Sequence, residues 1–540
     1  MTLAVVAGGG LLATKVFLGA KSDDAVHLVP ADAGAYLNLF VRPSNAQKMA
    51  LEDFLAKFPQ LGDSFEDARD ALIDVLDPEL AKIGLEFEAD VDPWLGDQIA
   101  FYVMPPEVDV SQSGEGEFDL APVTQPDVAA IISVKDDDAA QDAVDKVLAS
   151  EDLEAEGASY EGTDYLLVPQ DDVDVAVGFL EDFMILGTEP ALKLSVDAFR
   201  GDSLDESNAY EAAVGGFADD QLATMYFDTE SLVAATVDAS AIPTEDRAGM
   251  AGLAESGPIA VALHVRSDAA VLEASIGLPD DPALLDIVDG FAGEGAGRIL
   301  DSLPSDTWFA FGVPQLGRAV SGLVASIEGA SPTVGSDELS EAFESQTGLD
   351  LQEDVLSWMG STGLFVQGTI VRDLGGALVI ESSDADKTDA VVARIREAVD
   401  SEDPTSAQDF EAGGLTGFSV ALPPPAAPIF VMGGDRAVIA YGERALNDAL
   451  APASALGDSD QFSQAIDGLG DGYEPTFYFD LTAIPKLVQA FTVFGGDPGP
   501  SYESDVKPVL ESLDYAVVGS KREDETLLQR FVIGVQDGEE

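Results

Sequence analysis

The pattern of apolar and polar positions predicts many short strands and a smaller number of amphipathic helices. Runs such as 128–134 and 183–187 are short and apolar, which is typical of strands that pack into a sheet. The stretches 51–58 and 316–327 instead place apolar residues at the spacing of one helix face. Most neighbouring strands are separated by turns rather than by helical crossovers. The sequence therefore predicts an α+β fold with largely antiparallel sheets and packed helices.

The same series of elements occurs twice along the chain. The run from Gly84 to Gly96 shares Gly-Leu, Asp-Val and Trp-x-Gly with the run from Gly348 to Gly360, at identical internal spacing. Residues 207–228 align without gaps with residues 459–480, and both segments end in an aromatic Tyr-Phe-Asp strand. Repeated order at a long period indicates a duplicated structural unit. We therefore predict two tandem copies of one module.

These patterns divide the chain into four predicted segments. Residues 1–25 form a membrane anchor or signal segment, and residues 26–282 form the first α+β repeat. Residues 283–298 form a linker that contains a short helix with a loop. Residues 299–540 form the second α+β repeat.

The segment from Thr2 to Ala20 is apolar or small except for Lys15. As a helix it would extend about 28 Å, close to the roughly 30 Å of a bilayer core. We predict an N-terminal single-pass transmembrane helix; a cleaved signal peptide is the alternative. Acidic rather than basic residues follow the segment, so we expect the bulk of the chain to be extracytoplasmic, at the cell membrane.

Charge and composition exclude several classes of function. The chain has 26 basic and 101 acidic residues, a net charge of −75. Such a surface repels phosphate backbones, so nucleic acid is not an expected partner. The absence of cysteine excludes disulfides and thiolate metal sites. Because 46% of the residues are hydrophobic, the chain has enough apolar material to fold.

One run of residues carries a resemblance to a known family. The Trp-Leu-Gly-Asp run from Trp94 to Asp97 follows a Pro-Ala-Asp-Ala run from Pro30 to Ala33 and an Ala-Gln-Lys helix start from Ala46 to Lys48. Together they resemble the bacterial domain-of-unknown-function family 3352. The resemblance covers nearly the whole chain after the anchor and implies a membrane-anchored protein, most commonly actinobacterial. Its motifs concern packing and turns, so it implies no reaction. The second copy departs from it at Ser361, which replaces the final Asp.

No catalytic or cofactor-binding residues are predicted, and no cofactor. The chain has two histidines, His27 and His264, and the second lies in an apolar alternating strand. No Ser-His-acid triad recurs in both copies. No phosphate-binding loop, dinucleotide glycine pattern, nucleophile elbow or zinc signature occurs.

Two acidic clusters resemble metal sites when taken alone. Residues 136–138 are all Asp, but the second copy has Ser-Ser-Asp at 382–384. Both sequences suit a helix N-cap, and calcium binding is the alternative. The second cluster lies at a predicted hairpin tip, and its carboxylates suit a hard cation. Its members are weak calcium candidates: Asp171, Asp172 and Asp174.

Two pairs of equivalent residues have a structural and a functional interpretation. Trp94 and Trp358 are expected to be packing anchors rather than platforms for a ligand. Asp228 and Asp480 follow an aromatic strand, and we expect them to cap the next helix rather than to act as acid or base.

The sequence leaves three hypotheses for function. The first is a non-enzymatic binding or scaffolding module of the cell envelope, held to the membrane by its N-terminal helix, with an envelope protein as partner. The second is a carrier or sensor of an apolar, lipid-like ligand held between a sheet and its helices. The third is a hydrolase that uses acidic residues, which rests on the abundance of carboxylates alone.

Overall fold

The computed structural model describes residues 23–42, 44–58, 73, 77–105, 126–169, 174–218, 220–231, 257–279, 281–330, 336–370, 372–402, 406–423, 426–492 and 502–536. Within these ranges no helix is long and apolar enough to span a membrane. The predicted anchor, Thr2 to Ala20, lies outside them. Contacts divide the chain into two compact units, one of Met1–Pro243 with Leu253–Gly277 and the other of Thr244–Gly252 with Leu278–Glu540.

The first unit contains a sheet in which all neighbouring strands are antiparallel. Their order across the sheet is β4-β5-β6-β7-β3-β2-β1-β8-β9-β10. The strands are β1 Ala35–Phe40, β2 Leu95–Val103, β3 Val128–Val134, β4 Glu156–Tyr160, β5 Thr163–Val168, β6 Val175–Leu180, β7 Phe183–Thr188, β8 Ala223–Phe227, β9 Ile259–Arg266 and β10 Ala269–Gly277.

Helices cover both faces of this first sheet. They are α1 Asn45–Leu55, α2 Asp137–Ser150, α3 Glu189–Ala198 and α4 Asn208–Val214. One face packs against α3, α4 and a 3₁₀ turn at Ala25–Leu28, in a core that includes Tyr36 and Ile185. The other face packs against α2, in a core that includes Val177 and Met184. Ile185 and Met184 point to opposite faces because successive side chains alternate along a strand.

The second unit has a sheet with the corresponding strand order, again antiparallel throughout. That order is β14-β15-β16-β17-β13-β12-β11-β18-β19-β20. The strands are β11 Thr307–Val313, β12 Met359–Gln367, β13 Gly375–Ser382, β14 Ala407–Ala412, β15 Leu415–Val420, β16 Ile429–Gly433, β17 Arg436–Tyr441, β18 Glu474–Asp480, β19 Leu513–Glu523 and β20 Thr526–Val535. The helices are α5 Pro282–Ala292, α6 Ala296–Asp301, α7 Leu316–Ala330, α8 Ser336–Thr347, α9 Ala385–Glu402, α10 Glu443–Leu450, α11 Asp460–Leu469, α12 Ala483–Thr492 and α13 Lys507–Ser512.

Helices α5 and α7 pack at close range through glycines. A Cβ atom added at Gly290 would lie 2.5 Å from the backbone nitrogen of Ala319, and one added at Gly322 would lie 2.5 Å from the carbonyl oxygen of Ala283. Because glycine has no Cβ, the backbones of α5 and α7 can lie close together at both positions. The segment 283–298, predicted as a linker, contains most of α5 and the start of α6.

The predicted class is confirmed: the chain is α+β, and its paired strands are antiparallel. The predicted strand at 128–134 is β3, and the one at 183–187 lies within β7. Two strands were not predicted, β4 and β14, and each is paired on one side only in the strand order above.

Candidate functional site

The central strands of the second unit have two different faces. Ala310 of β11 and Tyr478 of β18 are buried and lie opposite each other, on the face that α6 and α11 contact. Gly312 lies on the same face, beneath Ile299 and Leu300 of α6. Because side chains alternate, the intervening residues project from the opposite face. These are four phenylalanines, which we call the aromatic face: Phe309, Phe311, Phe477 and Phe479.

Three of the four rings of the aromatic face contact one another across the two strands. Phe309 lies opposite Phe479, and Phe311 lies opposite Phe477. The ring centroids of Phe309 and Phe477 are 5.4 Å apart at an interplanar angle of 84°, and those of Phe309 and Phe479 are 6.1 Å apart at 75°. Edge-to-face pairs of this kind stabilise by roughly 0.5–1.5 kcal/mol beyond their buried area. The aromatic face is therefore an ordered surface.

The aromatic face remains accessible to solvent. Phe311 is 36% exposed, and Phe309, Phe477 and Phe479 are half-buried. Burying an apolar side chain is favourable by roughly 25 cal/mol per Å². Contiguous exposed apolar groups on a folded protein often mark a binding surface. This face is the strongest candidate for such a surface among the residues that the structure describes.

Aliphatic side chains continue the face across the sheet. Leu364 of β12 lies opposite Phe311, and Leu378 of β13 lies opposite Leu364. Leu378 packs against the core cluster formed by Trp358, Ile380 and Ala437. Ile439 of β17 lies opposite Leu378 and is 42% exposed. Since directly opposed residues share a face, the apolar row spans five adjacent strands.

The first unit has smaller side chains at the corresponding positions. There β1 pairs with β8, so that Ala35 lies opposite Phe227 and Leu37 lies opposite Met225. One aromatic ring thus occupies the place that four occupy in the second unit. The aromatic face distinguishes the second unit from the first.

The first unit instead has a polar cluster on the face of its sheet that packs against α3 and α4. The Tyr36 hydroxyl donates to both carboxyl oxygens of Asp23, at 2.8 and 2.9 Å, and the Tyr210 hydroxyl lies 3.5 Å from Asp23 Oδ2. Burial raises the pKa of Asp23 to about 6, while the bond from Tyr36 and the nearby Asn38 amide lower it by less. Burial, followed by the Asp23 charge, also raises the pKa values of Tyr36 and Tyr210. Neither polar atom of the buried Asn38 side chain reaches a partner at normal hydrogen-bond distance.

The two equivalent tryptophans are packing anchors, as predicted. Trp94 and Trp358 are buried. The indole N–H of Trp94 donates to the carbonyl oxygen of Asp90 at 2.6 Å, and that of Trp358 donates to the carbonyl oxygen of Asp354 at 2.9 Å. The rings face the core rather than a ligand surface.

Three of the four carboxylates that we expected to cap helices do so: Asp136, Asp384 and Asp228. The fourth, Asp480, accepts from the turn that precedes α12. Asp136 accepts a bond from the N–H of Ala139 at 3.1 Å at the start of α2, and Asp384 accepts one from the N–H of Lys387 at 3.2 Å at the start of α9. Asp228 accepts a bond from the N–H of Ser231 at 3.1 Å. Asp480 accepts a bond from the N–H of Thr482 at 2.9 Å, and also one from the Gln461 amide.

The calcium candidates cannot be placed as a group. Asp171 and Asp172 lie outside the described residues, and Asp174 is exposed. Elsewhere, in the part of the chain that the structure covers, no group of three or more His, Asp and Glu residues is arranged to hold a metal ion.

The two histidines each lie beside an acid. His27 Nδ1 lies 2.9 Å from Asp205 Oδ2 near the surface. His264 Nδ1 lies 3.6 Å from Glu273 Oε2, and both residues are buried. Glu273 also accepts a bond from the N–H of Ala218 at 2.9 Å. Glu273, on β10, thus contacts both His264 of β9 and the segment after α4.

The sequence reasoning missed the aromatic face. Its signal was present, since Phe occurs at alternate positions in two segments, Phe309 with Phe311 and Phe477 with Phe479. In an alternating strand, such residues share one face.

Comparison with known proteins identifies the family. The profile described as "Protein of unknown function (DUF3352)" matches residues 1–531, so the chain belongs to this family. No curated protein sequence matches the chain.

Solved structures give weak similarities. "Structure of crystal form I of TP0453" has a TM-score of 0.24 at 10% identity, over 48% of this chain and 81% of that chain. "Structure of crystal form III of TP0453" has the same TM-score and identity, over 52% of this chain and 87% of that chain. These scores are too low to indicate a shared fold.

Proposed function

We propose that this is a non-enzymatic binding protein of the cell envelope, tethered by its N-terminal segment with the bulk of the chain outside the cytoplasm. We further propose that its aromatic face binds an apolar, uncharged ligand. The observation that carries the proposal is the set of four phenylalanines, one exposed and three half-buried, that project from one face of two central strands. This favours the apolar-ligand hypothesis over a purely scaffolding role.

The two units are proposed to be tandem copies of one module. The shared strand order supports this, as does the Trp bond that recurs at Asp90 and Asp354. If the units are copies, the difference between Leu37 and Phe311 reflects specialisation of the second copy rather than a difference in fold. The first copy then provides matched control positions for experiments on the second.

The charge of the chain limits the chemistry of the ligand. A net charge of −75 raises the cost of bringing an anionic group to the surface. The row from Phe477 through Phe311 to Ile439 consists of hydrocarbon side chains, which offer an alkyl chain or a ring dispersion contacts and burial of its apolar surface. A neutral lipid-like molecule brings no anionic group to the surface and has apolar surface to bury on the aromatic face.

Photo-crosslinking of the full-length protein in membranes tests the proposal. An uncharged long-chain alcohol that carries a diazirine is added, and the labelled peptides are mapped by mass spectrometry. We expect label on peptides from β11 and β18. The double variant Phe311→Ser/Phe477→Ser should lose most of this label, because it introduces two hydroxyls at the centre of the apolar face.

The matched control is Leu37→Ser/Met225→Ser, which makes the same change at the corresponding positions of the first unit. It should leave the label in the second unit unchanged. Equal labelling of both units, or labelling that survives the Phe311→Ser/Phe477→Ser change in a folded protein, would contradict the proposal. If crosslinking in intact cells instead joins the face to a protein, the scaffolding alternative is supported.

Cell fractionation tests the location independently of the ligand. The full-length protein should sediment with membranes, and protease added outside the cytoplasmic membrane should degrade both units. Recovery of the intact protein entirely in the cytosolic fraction would refute the tether and the location, without bearing on the aromatic face.

A further inference from the structure

The apolar row that crosses the aromatic face continues beyond it on β19 and β20. Val518 of β19 lies opposite Phe477, and Phe531 of β20 lies opposite Val518. With Ile439 at its other end, the row has one residue on each of seven adjacent strands, in the order β17-β13-β12-β11-β18-β19-β20. Because directly opposed residues share a face, these residues form one continuous apolar strip on the sheet of the second unit.

The residues of the apolar row are accessible, whereas their neighbours on the opposite face are not. Ile439 and Phe311 are exposed, and the other members of the row are half-buried. On the opposite face, adjacent residues of the same strands are at most 1% exposed: Ala440, Phe365, Ala310, Tyr478, Val517 and Val532. One face of these strands is therefore closed by packing, while the apolar row is partly open to solvent along its whole length.

A second uncharged row lies beside the apolar row, two residues further along each strand. It includes residues that lie opposite one another in turn: Val366, Phe309, Phe479, Ala516 and Ile533. None of these residues is charged, and none in the apolar row is, although 24% of the chain is charged. Residues two apart on a strand are separated by about 7 Å, so the two rows flank a furrow that suits a single hydrocarbon chain.

Packed residues border the apolar row on its other side. There Ile380 and Ala437 lie in the core around Trp358, and the Ser520 hydroxyl of β19 donates to the carbonyl oxygen of Ala292 in α5 at 3.2 Å. A ligand on the apolar row therefore meets packed protein on this side. Its long axis lies along the row, across the strands.

Helix α9 closes one end of the row. Beyond Ile439, the next residue across the sheet is Val431 of β16. Val431 is buried together with Val392 of α9. The accessible part of the row therefore begins at Ile439, and within the second unit it extends to Phe531 on β20.

The length of the apolar row sets the length of the ligand that fills it. Neighbouring strands lie about 4.8 Å apart, so a row over seven strands is about 29 Å long. C–C bonds of about 1.5 Å advance an extended chain by roughly 1.25 Å per carbon, so about 23 carbons cover the row. This length is close to the roughly 30 Å hydrocarbon core of a whole bilayer, and it is about twice that of one leaflet.

We propose that the aromatic face is the middle of a site for one extended, uncharged hydrocarbon chain, which lies across seven strands from Ile439 to Phe531. This inference rests on the proposed function, because it assigns the length and direction of the same apolar ligand. Each further carbon on the row buries more apolar surface, so binding tightens with chain length up to about 23 carbons. The net charge of −75 disfavours a chain that carries an anionic group.

A hydrocarbon that carries a diazirine at each end tests the length and direction of the site. The full-length protein in membranes is irradiated with a probe of about 23 carbons or, separately, of about 12 carbons. Crosslinked peptides are then identified by mass spectrometry. The long probe should join a peptide from β17 to a peptide from β20. The short probe covers about half of the row, so it should label β11 and β18 without joining β17 to β20.

Serine at the two ends of the row tests whether these residues hold the chain. The double variant Ile439→Ser/Phe531→Ser should lose most of the link between β17 and β20, while labelling of β11 and β18 by the short probe shows that it is folded. Ile439→Ser alone changes one exposed residue and should already weaken the link. The matched control is Leu272→Ser, which replaces an exposed apolar residue on a strand of the first unit and should leave the link unchanged.

The two probes separate failure of this inference from failure of the proposed function. If the short probe labels β11 and β18 but the long probe does not join β17 to β20, the extended site is refuted and the apolar-ligand proposal stands. A link that is unchanged in both Ile439→Ser and the double variant refutes the extended site as well. If neither probe labels the second unit, the apolar-ligand proposal itself is refuted.

Discussion

The indole N–H of Trp358 donates to the carbonyl oxygen of Asp354 at 2.9 Å. The carboxylate of the same Asp354 accepts the backbone N–H of Asp350, also at 2.9 Å. The first unit repeats both bonds around Asp90, whose carbonyl accepts from Trp94 and whose carboxylate accepts from the N–H of Glu86. In each unit a π-helical turn holds the Asp, Phe87–Val91 and Leu351–Val355. The repeated Asp and Trp therefore close one turn and direct the ring into the core.

Replacing Trp358 with Phe should destabilise the second unit. The change leaves the Asp354 carbonyl without its indole donor and creates a space beside Ile380 and Ala437. Together these effects should lower the free energy of unfolding by about 2–4 kcal/mol, measured by urea denaturation with circular dichroism. Trp308→Phe is the control, since Trp308 also donates to a carbonyl, that of Gly368, but is half-buried. An equal loss in both variants would show that burial does not decide the effect.

Replacing Gly322 with Ala should also be destabilising, although alanine is the better helix former by about 1 kcal/mol. The added Cβ would lie 2.5 Å from the carbonyl oxygen of Ala283, so α5 and α7 would have to separate. We expect a net loss of about 1–3 kcal/mol, measured as a fall in melting temperature. Gly157→Ala is the control, because an added Cβ there meets no atom within 4 Å. A rise in the melting temperature of Gly322→Ala would contradict the close packing of these helices.

Added salt should raise the melting temperature. A net charge of −75 places many carboxylates within the Debye length of about 10 Å at 0.1 M salt, and this length falls to about 3 Å at 1 M. Sodium chloride should therefore relieve repulsion between them. The measurement is thermal unfolding from roughly 0.05 to 1 M salt. A melting temperature that does not change over this range would remove repulsion as a determinant of stability.

Calcium should add little beyond sodium at equal ionic strength. The described clusters at Asp136 and Asp384 already accept backbone N–H bonds as helix caps, so they have a structural role without an ion. A bound ion would stabilise the fold according to its own dissociation constant. A large calcium-specific rise in melting temperature, lost on changing Asp171, Asp172 and Asp174 to Asn, would instead show a calcium site at that hairpin tip.

Much of the fold follows from apolar periodicity. The strand at 128–134 was predicted residue for residue because it is a continuous apolar run. The strands β4 and β14 were not predicted, since Glu-Gly-Ala-Ser-Tyr and Ala-Gln-Asp-Phe-Glu-Ala have no such run. Both are mostly exposed, and each is held through the backbone ladder to a single neighbour. Because backbone hydrogen bonds hold these strands, their side chains show little of the apolar pattern by which strands are predicted.

The candidate surfaces were harder to predict because they depend on distant parts of the chain. The alternation at Phe309 and Phe311 predicts a strand, but the sequence does not say which face the helices cover. The Asp23 cluster joins residues 187 positions apart, Asp23 and Tyr210. Neither residue belongs to a recognisable motif, and a solvated acid after an anchor is the ordinary interpretation of Asp23.

The place of β1 in its sheet has a consequence for the order of folding during synthesis. Its neighbour β2 follows within the first hundred or so residues, but its other neighbour is β8, Ala223–Phe227. A nascent chain emerges N-terminus first, so one edge of β1 stays unpaired until β8 arrives. An open edge is a template for pairing with other chains. In the second unit, one edge of β11 likewise stays unpaired until β18 has been synthesised. In each unit, this central strand pair therefore forms late in the synthesis of that unit. A chain that stops before β8 or β18 leaves one edge of β1 or β11 exposed.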